Sequence, residues 1–399
     1  MFKITYYFKM KANPGGQIDL QSLIGRSQVI QLIWDTLDQQ SIVITAERRI
    51  GKTTIIRKLQ QDPRPGWVPV FQDLERCHTA GEFALAVYRE VHQFLSGKDR
   101  IARRVKEFVG AFGGTVVGGL LTLPKGKEVP WKDLLTQSIE DLVHENDSNG
   151  SRLLFLWDEV PFMLANIRDR EGERTAMEVL DMLRGLRQSH PALRMIITGS
   201  IGLHHVVRSL KDKNYTNSPV NDMVRIAVTP LEHADAKHLG IQLIEGEELV
   251  SKDKVAAAAA IAREADNFPF YIHCIVKELK VKGRCADPED IVEVVAALLI
   301  DPNDPWELLH YRDRIPSYYG ADAKAVSAIL DELAVAREKA SINELLGMLK
   351  TCLEFDDRER LILLLSLMER DHYLQRLTDG SFRFQFPLIR RWWKITRGL

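Results

Sequence analysis

The sequence predicts an α/β fold: a doubly wound domain with a mostly parallel sheet, followed by a helical region and a winged-helix-like module. Three observations predict it. Short β-branched and apolar runs alternate with segments of helical spacing as far as Leu231. The β-rich runs then vanish. The C-terminal part shows three helical segments followed by a hairpin pattern. Alternating strands and helices build parallel sheets, because each parallel strand must be reached by a crossover.

Composition sets the outer bounds. The chain has 399 residues, 45% hydrophobic and 27% charged, which is an ordinary globular profile. Lys+Arg 54 against Asp+Glu 55 leaves a net charge of -1, so any nucleic-acid or membrane-surface binding would need a local patch. The 4 cysteines, Cys77, Cys274, Cys285 and Cys352, are scattered without a C-x-x-C, which argues against a cysteine-built zinc site and a disulfide framework. A reducing, cytoplasmic compartment fits. No segment offers the roughly 18 to 20 apolar residues that cross a bilayer.

The elements follow in order. Residues 1–22 read as a ragged or strand-like lead-in, not a signal peptide. Val29, Ile30, Ile33 and Leu37 have helical spacing behind a candidate cap, Ser27. Ile42–Ile44 is a β-branched run suited to a strand buried on both faces, and a helix opens near Lys52. Further strands are expected at Val68–Phe71, in RLLFLWDEV (Arg152–Val160), in LRMIITGS and in VRIAVTPL, with helices at Phe83–Leu95, Leu134–Val143 and Thr175–Gln188. Residues 98–130 start as a basic helix and turn Gly-rich and apolar. They read as an insertion, either a hairpin or helix end packed on the sheet, or a docking surface. Helices are expected at Ala234–Leu249, Lys254–Ala265, Pro269–Lys280 and Pro288–Leu299, with a Pro-rich boundary at Asp301–Leu309. After it come a helix at Ala323–Lys339, a capping box at Ser341 and Glu344, and a helix at Asp357–Arg370. A hairpin turns at Asp379–Gly380, with Phe382, Phe384 and Phe386 on one face. The expected domains are therefore a lead-in (1–22), an α/β core (23–231), a helical lid (232–305) and a winged-helix-like domain (306–399).

Three segments carry chemistry. AERRIGKTT (Ala46–Thr54) follows a strand and opens a helix, the context of a phosphate-binding loop. Backbone N–H groups at a helix N-terminus offer oriented donors and a positive dipole end, and Gly51 lets the backbone approach closely. Lys52 reaches the β/γ-phosphates, and the Thr53 hydroxyl can ligate magnesium. Ala46 stands where the consensus has glycine; if that position needs positive φ, alanine costs on the order of 1 kcal/mol. In the second segment, Asp158 ends an apolar strand and can hold magnesium through a water, while Glu159 beside it can act as general base. The third is IITGS (Ile196–Ser200), where Thr198 or Ser200 can orient water or sense a γ-phosphate. Arg208 and Arg225 are candidate charge-stabilising residues. Arg383, Arg390, Arg391, Lys394 and Arg397 crowd the end beside Trp392 and Trp393, which read better as packing residues than as stacking platforms.

Together these residues resemble the P-loop ATPases of the AAA+/STAND superclass, in particular its archaeal-ATPase-like branch. AERRIGKTT is similar to that family's Pro-Arg-Arg-x-Gly-Lys-Thr loop, with Glu47 in place of proline. LIGRSQVIQLIWDTL resembles its entry helix, VRIAVTPLEHADAKHL its last core strand and first lid helix, and DNFPFYIHCIV its lid motif, with Asn267 where glycine is usual. The resemblance implies an ASCE/AAA+-like P-loop NTPase core, a helical lid and a winged helix, with ATP and Mg2+ as ligands. It implies Gly25, Arg26 and Pro269 near the base. Ala46, Glu47, Arg48, Arg49, Ile50, Gly51, Lys52, Thr53 and Thr54 would surround the phosphates. Lys52, Asp158, Glu159 and Ser200 would be catalytic, and Thr53 with Asp158 would hold the metal. The function implied is a hydrolysing switch that couples nucleotide state to self-assembly or to a protein partner. DNA binding through the winged helix is the alternative.

Overall fold

The computed structural model describes residues 9–16, 18–94, 115–117, 120–122, 130–199, 202–211, 218–335 and 338–399. By internal contact the chain forms two compact units: an α/β unit of Ser27–Ala46 and Lys52–Val228, and a mainly helical unit of Met1–Arg26, Glu47–Gly51 and Thr229–Leu399.

The α/β unit runs α1 (Ser27–Leu37), β1 (Ile42–Thr45), α2 (Lys52–Gln61), β2 (Trp67–Asp73), α3 (Ala80–Phe94), β3 (Thr115–Val117), β4 (Leu120–Thr122), α4 (Trp131–Ser148), β5 (Arg152–Asp158), α5 (Val160–Glu171), α6 (Glu173–Ser189), β6 (Leu193–Ile197), α7 (Leu203–Lys211) and β7 (Val224–Ala227). Five strands form one parallel sheet in the order β2-β5-β6-β1-β7. The interior strand β5 is buried from Leu153 to Asp158, as its unbroken apolar run requires when both faces are covered. The edge strand β7 buries only Ile226. Phe155 stacks on Trp157 at 4.9 Å and Phe83 meets that indole edge-on at 5.5 Å, which places the aromatic core beneath the end of β5.

In the α/β unit, helices α5 and α7 were not among the sequence expectations. The strand within RLLFLWDEV stops at Asp158, the residue expected to end it. Glu159 turns the chain with φ 58°, and Val160 already begins α5, whose buried Val160, Met163, Leu164 and Ile167 have helical spacing. Of the insertion 98–130, β3 and β4 pair antiparallel with Thr115 opposite Thr122, and nearly all the rest lies outside the described residues.

The helical unit contains α8 (His233–Gly246), α9 (Lys254–Glu264), α10 (Pro269–Val281), α11 (Pro288–Leu299), α12 (Leu309–Tyr319), α13 (Ala323–Val335), α14 (Ile342–Leu353), α15 (Arg358–Arg370), β8 (Leu374–Arg376), β9 (Phe382–Phe384) and α16 (Pro387–Arg397). The Pro-rich stretch expected to be a boundary is packed: Trp306 and Leu308 are each 1% exposed, and Trp306 stacks on Tyr271 at 4.8 Å. The Asp304 carboxylate accepts from the N–H groups of Leu308 (2.8 Å) and Leu309 (2.9 Å), satisfying donors at the start of α12. Helix α12 itself was hidden in the sequence by Pro316 inside it. Beyond it, α13, α14, α15 and the β8–β9 hairpin follow winged-helix order. Ser341 and Glu344 form both bonds of a capping box, and an Ala340–Phe382 bridge adds a third short strand segment to the hairpin. Phe382, Phe384 and Phe386 are all buried, as their shared face predicts.

The lead-in is tied down at residues 10–13. Its Ala12 N–H donates to Glu247 Oε1 at 2.8 Å and its Asn13 N–H to His273 Nδ1 at 3.2 Å. Burial lowers the His273 pKa to about 4, so its ring is neutral and can accept. Gly246 is what permits this approach, since a Cβ there would lie 1.7 Å from the Met10 carbonyl oxygen. Gly246→Ala should therefore displace the lead-in and cost about 1–3 kcal/mol of stability. Faster hydrogen exchange at the amides of Ala12 and Asn13 checks it.

Asp266 joins the α9–α10 turn to α16 by accepting the Leu388 N–H at 2.6 Å. Burial pushes its carboxyl up to about 6, against the pull of that bond and of Arg391 and with the push of Glu264. A folded-state pKa above the unfolded value means the folded chain binds more protons between the ordinary value of 3.8 and about 6, so this contribution to stability is full below that window and lost as pH rises through about 6. Asp266→Asn keeps the acceptor and removes the charge. The fall in melting temperature from pH 5 to pH 7 should be smaller in that variant than in the parent.

Candidate functional site

In a parallel sheet, ligands gather at the carboxyl ends of the strands, where loops and helix N-termini converge. Within the α/β unit this edge collects most of the polar residues singled out in the sequence. Strand β6 pairs with both β1 and β5, so the strand leading to the phosphate-loop candidate and the strand ending in Asp158 flank a shared neighbour.

Lys52 and Thr53 open α2. The Lys52 side chain is buried, and its Nζ donates to the Ala46 carbonyl at 3.0 Å, back across the loop it follows. The Thr53 hydroxyl donates to Asp158 Oδ2 at 2.6 Å, and the Glu159 N–H donates to Asp158 Oδ1 at 3.1 Å. Burial raises the Asp158 pKa; the Thr53 and Glu159 bonds and Lys52 pull it down, and Asp73 adds to the rise. The strain is electrostatic, and a divalent cation would relieve it. A hydroxyl and a carboxylate, both oxygen donors and already in contact, fit magnesium chemistry. Asp73 is a residue the sequence reading missed. It faces Asp158 in the β2–β5 register and so stands at the same sheet edge, and the only signal for it was the carboxylate ending WVPVFQD.

Glu159 takes left-handed backbone geometry, uncommon for a residue with a side chain and concentrated at functional turns. Its Oε2 lies 3.4 Å from where a side chain on Gly199 would begin, which directs the carboxylate toward the end of β6. There the Thr198 hydroxyl is buried without a hydrogen-bond partner among the described residues, while its backbone N–H donates to Trp157. Ser200 lies outside the described residues. Arg208 sits on α7, and Arg225 on the edge strand β7 is exposed.

Residues 47–51 belong by contact to the helical unit, and side chains of that unit hold four of them. Arg26, buried, donates to the Ile50 carbonyl at 2.9 Å and to the Thr229 carbonyl at 2.8 Å. Burial lowers its pKa to about 10 against the opposing charge of Asp235. Arg26, expected near a base, is thus a brace for the loop. Gly25 before it has φ 69° and no room for a side chain, with Leu231 and Asp235 both 2.8 Å from a would-be Cβ. Arg48 and Arg49 both pair with Glu307, and the Arg49 guanidinium also lies 4.5 Å over the Phe270 ring, beside Pro269 at the start of α10. Glu47 is 3% exposed, with Oε1 at 3.4 Å from Arg314 Nη1 and 3.6 Å from His310 Nε2. Burial opposes its ionisation, but Arg314, His310 and His372 outweigh that and hold the carboxyl well below the usual range. Positive φ in the loop falls on Arg49 (67°) and Gly51 (99°) and not on Ala46, so the strain considered for alanine does not arise. Asn267 takes φ 60° where glycine is usual, a geometry asparagine tolerates.

The C-terminal basic residues are largely committed within their own unit. Arg390 Nε donates to the Leu333 carbonyl, Arg391 pairs with Glu264 at 2.7 Å, and Arg397 pairs with Asp331 at 2.6 Å. Trp393 donates to Asp331 at 2.8 Å, and both tryptophans are buried, which agrees with packing.

Parallel sheet, helical region and winged-helix module together form a fold that this chain shares with solved structures of known proteins. A Walker-type ATPase of Pyrococcus abyssi shares it at TM-score 0.63 and 16% identity, over 94% of this chain and 97% of that one. The ORC2 protein of Aeropyrum pernix, solved in ADPNP–ADP complexes, shares it at TM-score 0.51 and 10% identity, over 94% and 96%. No protein-family model and no curated protein matches the sequence. Among the described residues, no helix is long and apolar enough to cross a membrane.

Proposed function

We propose that this protein binds a magnesium–nucleoside triphosphate, ATP by resemblance, hydrolyses it, and uses the nucleotide state as a switch for self-assembly or for a protein partner. The observation that carries the reading is the 2.6 Å contact of the Thr53 hydroxyl with Asp158, beside a Lys52 ammonium already turned back over the loop. A phosphate-binding loop needs a cation donor, a metal-ligating hydroxyl and an acidic partner across the strand edge, and this arrangement supplies all three.

Each residue has a definable part. The N–H groups at the start of α2 and the Lys52 ammonium would bind phosphate oxygens, so that Lys52 gives up the Ala46 carbonyl for the ligand. Thr53 and Asp158 would hold the Mg2+, which when bound neutralises charge on the phosphates. Glu159, set at the strand end and directed toward β6, would take the proton of the attacking water. Thr198 has a buried hydroxyl with bonding capacity to spare, suited to orienting that water. The switch reading draws support from residues 47–50, which side chains from distant parts of the helical unit hold in place. Three of the five basic residues behind the DNA alternative, Arg390, Arg391 and Arg397, already have partners within the chain, which weighs against it.

Lys52→Ala should abolish the heat of Mg–ATP binding in calorimetry; a parent chain that itself gives no heat with Mg–ATP would refute the assignment. Glu159→Gln should bind as the parent does but lower kcat about 10²–10⁴-fold in a phosphate-release assay. Full turnover in that variant would remove Glu159 as the base.

A further inference from the structure

A phosphate-binding loop is built to attract anions, yet this one carries a carboxylate of its own. Glu47 is buried and takes up a loop amide, its Oε1 accepting the Arg48 N–H at 2.8 Å. A buried anion beside a polyanion site opposes the ligand unless something cancels it. The permanent cation among its neighbours, and the one that outweighs His310 and His372, is Arg314, which comes from α12, far along the chain.

Arg314 is held for that task. Its Nε donates to the Tyr373 hydroxyl at 2.8 Å and its Nη2 to the Asp371 carbonyl at 2.7 Å, both in the turn that follows α15. Its guanidinium lies 4.5 Å over the Tyr373 ring and 4.7 Å over the Tyr311 ring. Tyr373 in turn donates to the Tyr311 carbonyl at 2.5 Å, which binds the turn to α12. The guanidinium therefore reaches Glu47 only while α12 and the turn at Asp371–Tyr373 stay together.

We propose that Arg314 is a positioning residue for nucleotide retention: by cancelling the Glu47 charge it makes the phosphate loop competent to hold an anionic ligand, and withdrawal of Arg314 exposes the carboxylate and expels the nucleotide. The inference rests on the nucleotide reading of the loop and adds its regulation. It makes the packing of α12 against the turn after α15 the element whose opening empties the site. Nothing but chain movement and charge is required, and no bond is made or broken.

The test is a charge-cancellation cycle, read as the dissociation constant for a fluorescent Mg–ADP analogue. Arg314→Gln removes the largest positive charge facing Glu47 and should weaken binding about tenfold or more, a coupling of ordinary size between two sites. Adding Glu47→Gln to that variant should restore binding toward the parent, an outcome that general damage to the fold does not produce. Glu47→Gln alone should bind at least as tightly as the parent, and this arm stands even if Arg314→Gln fails to fold. Unchanged binding in Arg314→Gln, no restoration in the double variant, or weakened binding in Glu47→Gln would each overturn the charge-cancellation role while leaving the site assignment intact. A parent chain that binds no Mg–nucleotide would instead overturn the assignment on which the proposal rests.

Discussion

The contact between Thr53 and Asp158 depends on an arrangement of strands that neither residue controls. Thr53 follows β1 and Asp158 ends β5, and the two strands are not neighbours; β6 lies between them and pairs with each. Ile196 on β6 is in register with Ile42 on one side and with Leu156 on the other. A one-residue slip in either pairing would turn every side chain of the slipped strand to the opposite face. The apolar burial that fixes the register, Leu153–Trp157 on β5 and Met195–Ile197 on β6, is thus also what sets a hydroxyl 2.6 Å from a carboxylate at the sheet edge. The same edge strains its contents. Asp158 carries a raised pKa from burial and from Asp73, and Glu159 has left-handed geometry, both held in place by the packed strands behind them.

What could be read in advance was what local chemistry determines. The strand-to-helix junction around AERRIGKTT was legible because a β-branched run passes there into a glycine-bearing turn and a helix start. The capping box of Ser341 and Glu344 and the turn at Asp379–Gly380 were legible because they close within a few residues. The burial of Phe382, Phe384 and Phe386 followed from period-two alternation continued past the strand end. The failures have a common physical cause. Helix α12 holds Pro316, a residue that locally speaks against a helix, and its burial depends on Tyr311, Ile315 and Tyr319 meeting partners from elsewhere in the chain. The packing of Trp306, in the Asp301–Leu309 stretch, on Tyr271, distant in sequence, was not legible from composition. Asp73 is conspicuous only once β2 is known to pair with β5.

The loop itself shows the same division most sharply. Its backbone demand, positive φ at Arg49 and Gly51, is local and weakly legible, and the condition under which Ala46 would carry a cost is not met. Its side-chain bonds are not local at all. Glu307 pairs with Arg48 and Arg49, Arg26 with the Ile50 carbonyl, and Arg314 with Glu47. No periodicity or spacing in one sequence links residue 47 to residue 314.

A buried ion pair is a weak stabiliser, because desolvating both charges offsets most of their attraction, whereas breaking one strands a charge at a cost of about 3–5 kcal/mol. Glu47 and Arg314 are therefore poorly explained as a device for stability, since a neutral pair of similar volume would serve at least as well. Their asymmetry is the informative part: the pair does little while closed and penalises opening heavily. On the proposed nucleotide reading, that penalty falls on any anion the loop holds, because the stranded charge is itself an anion.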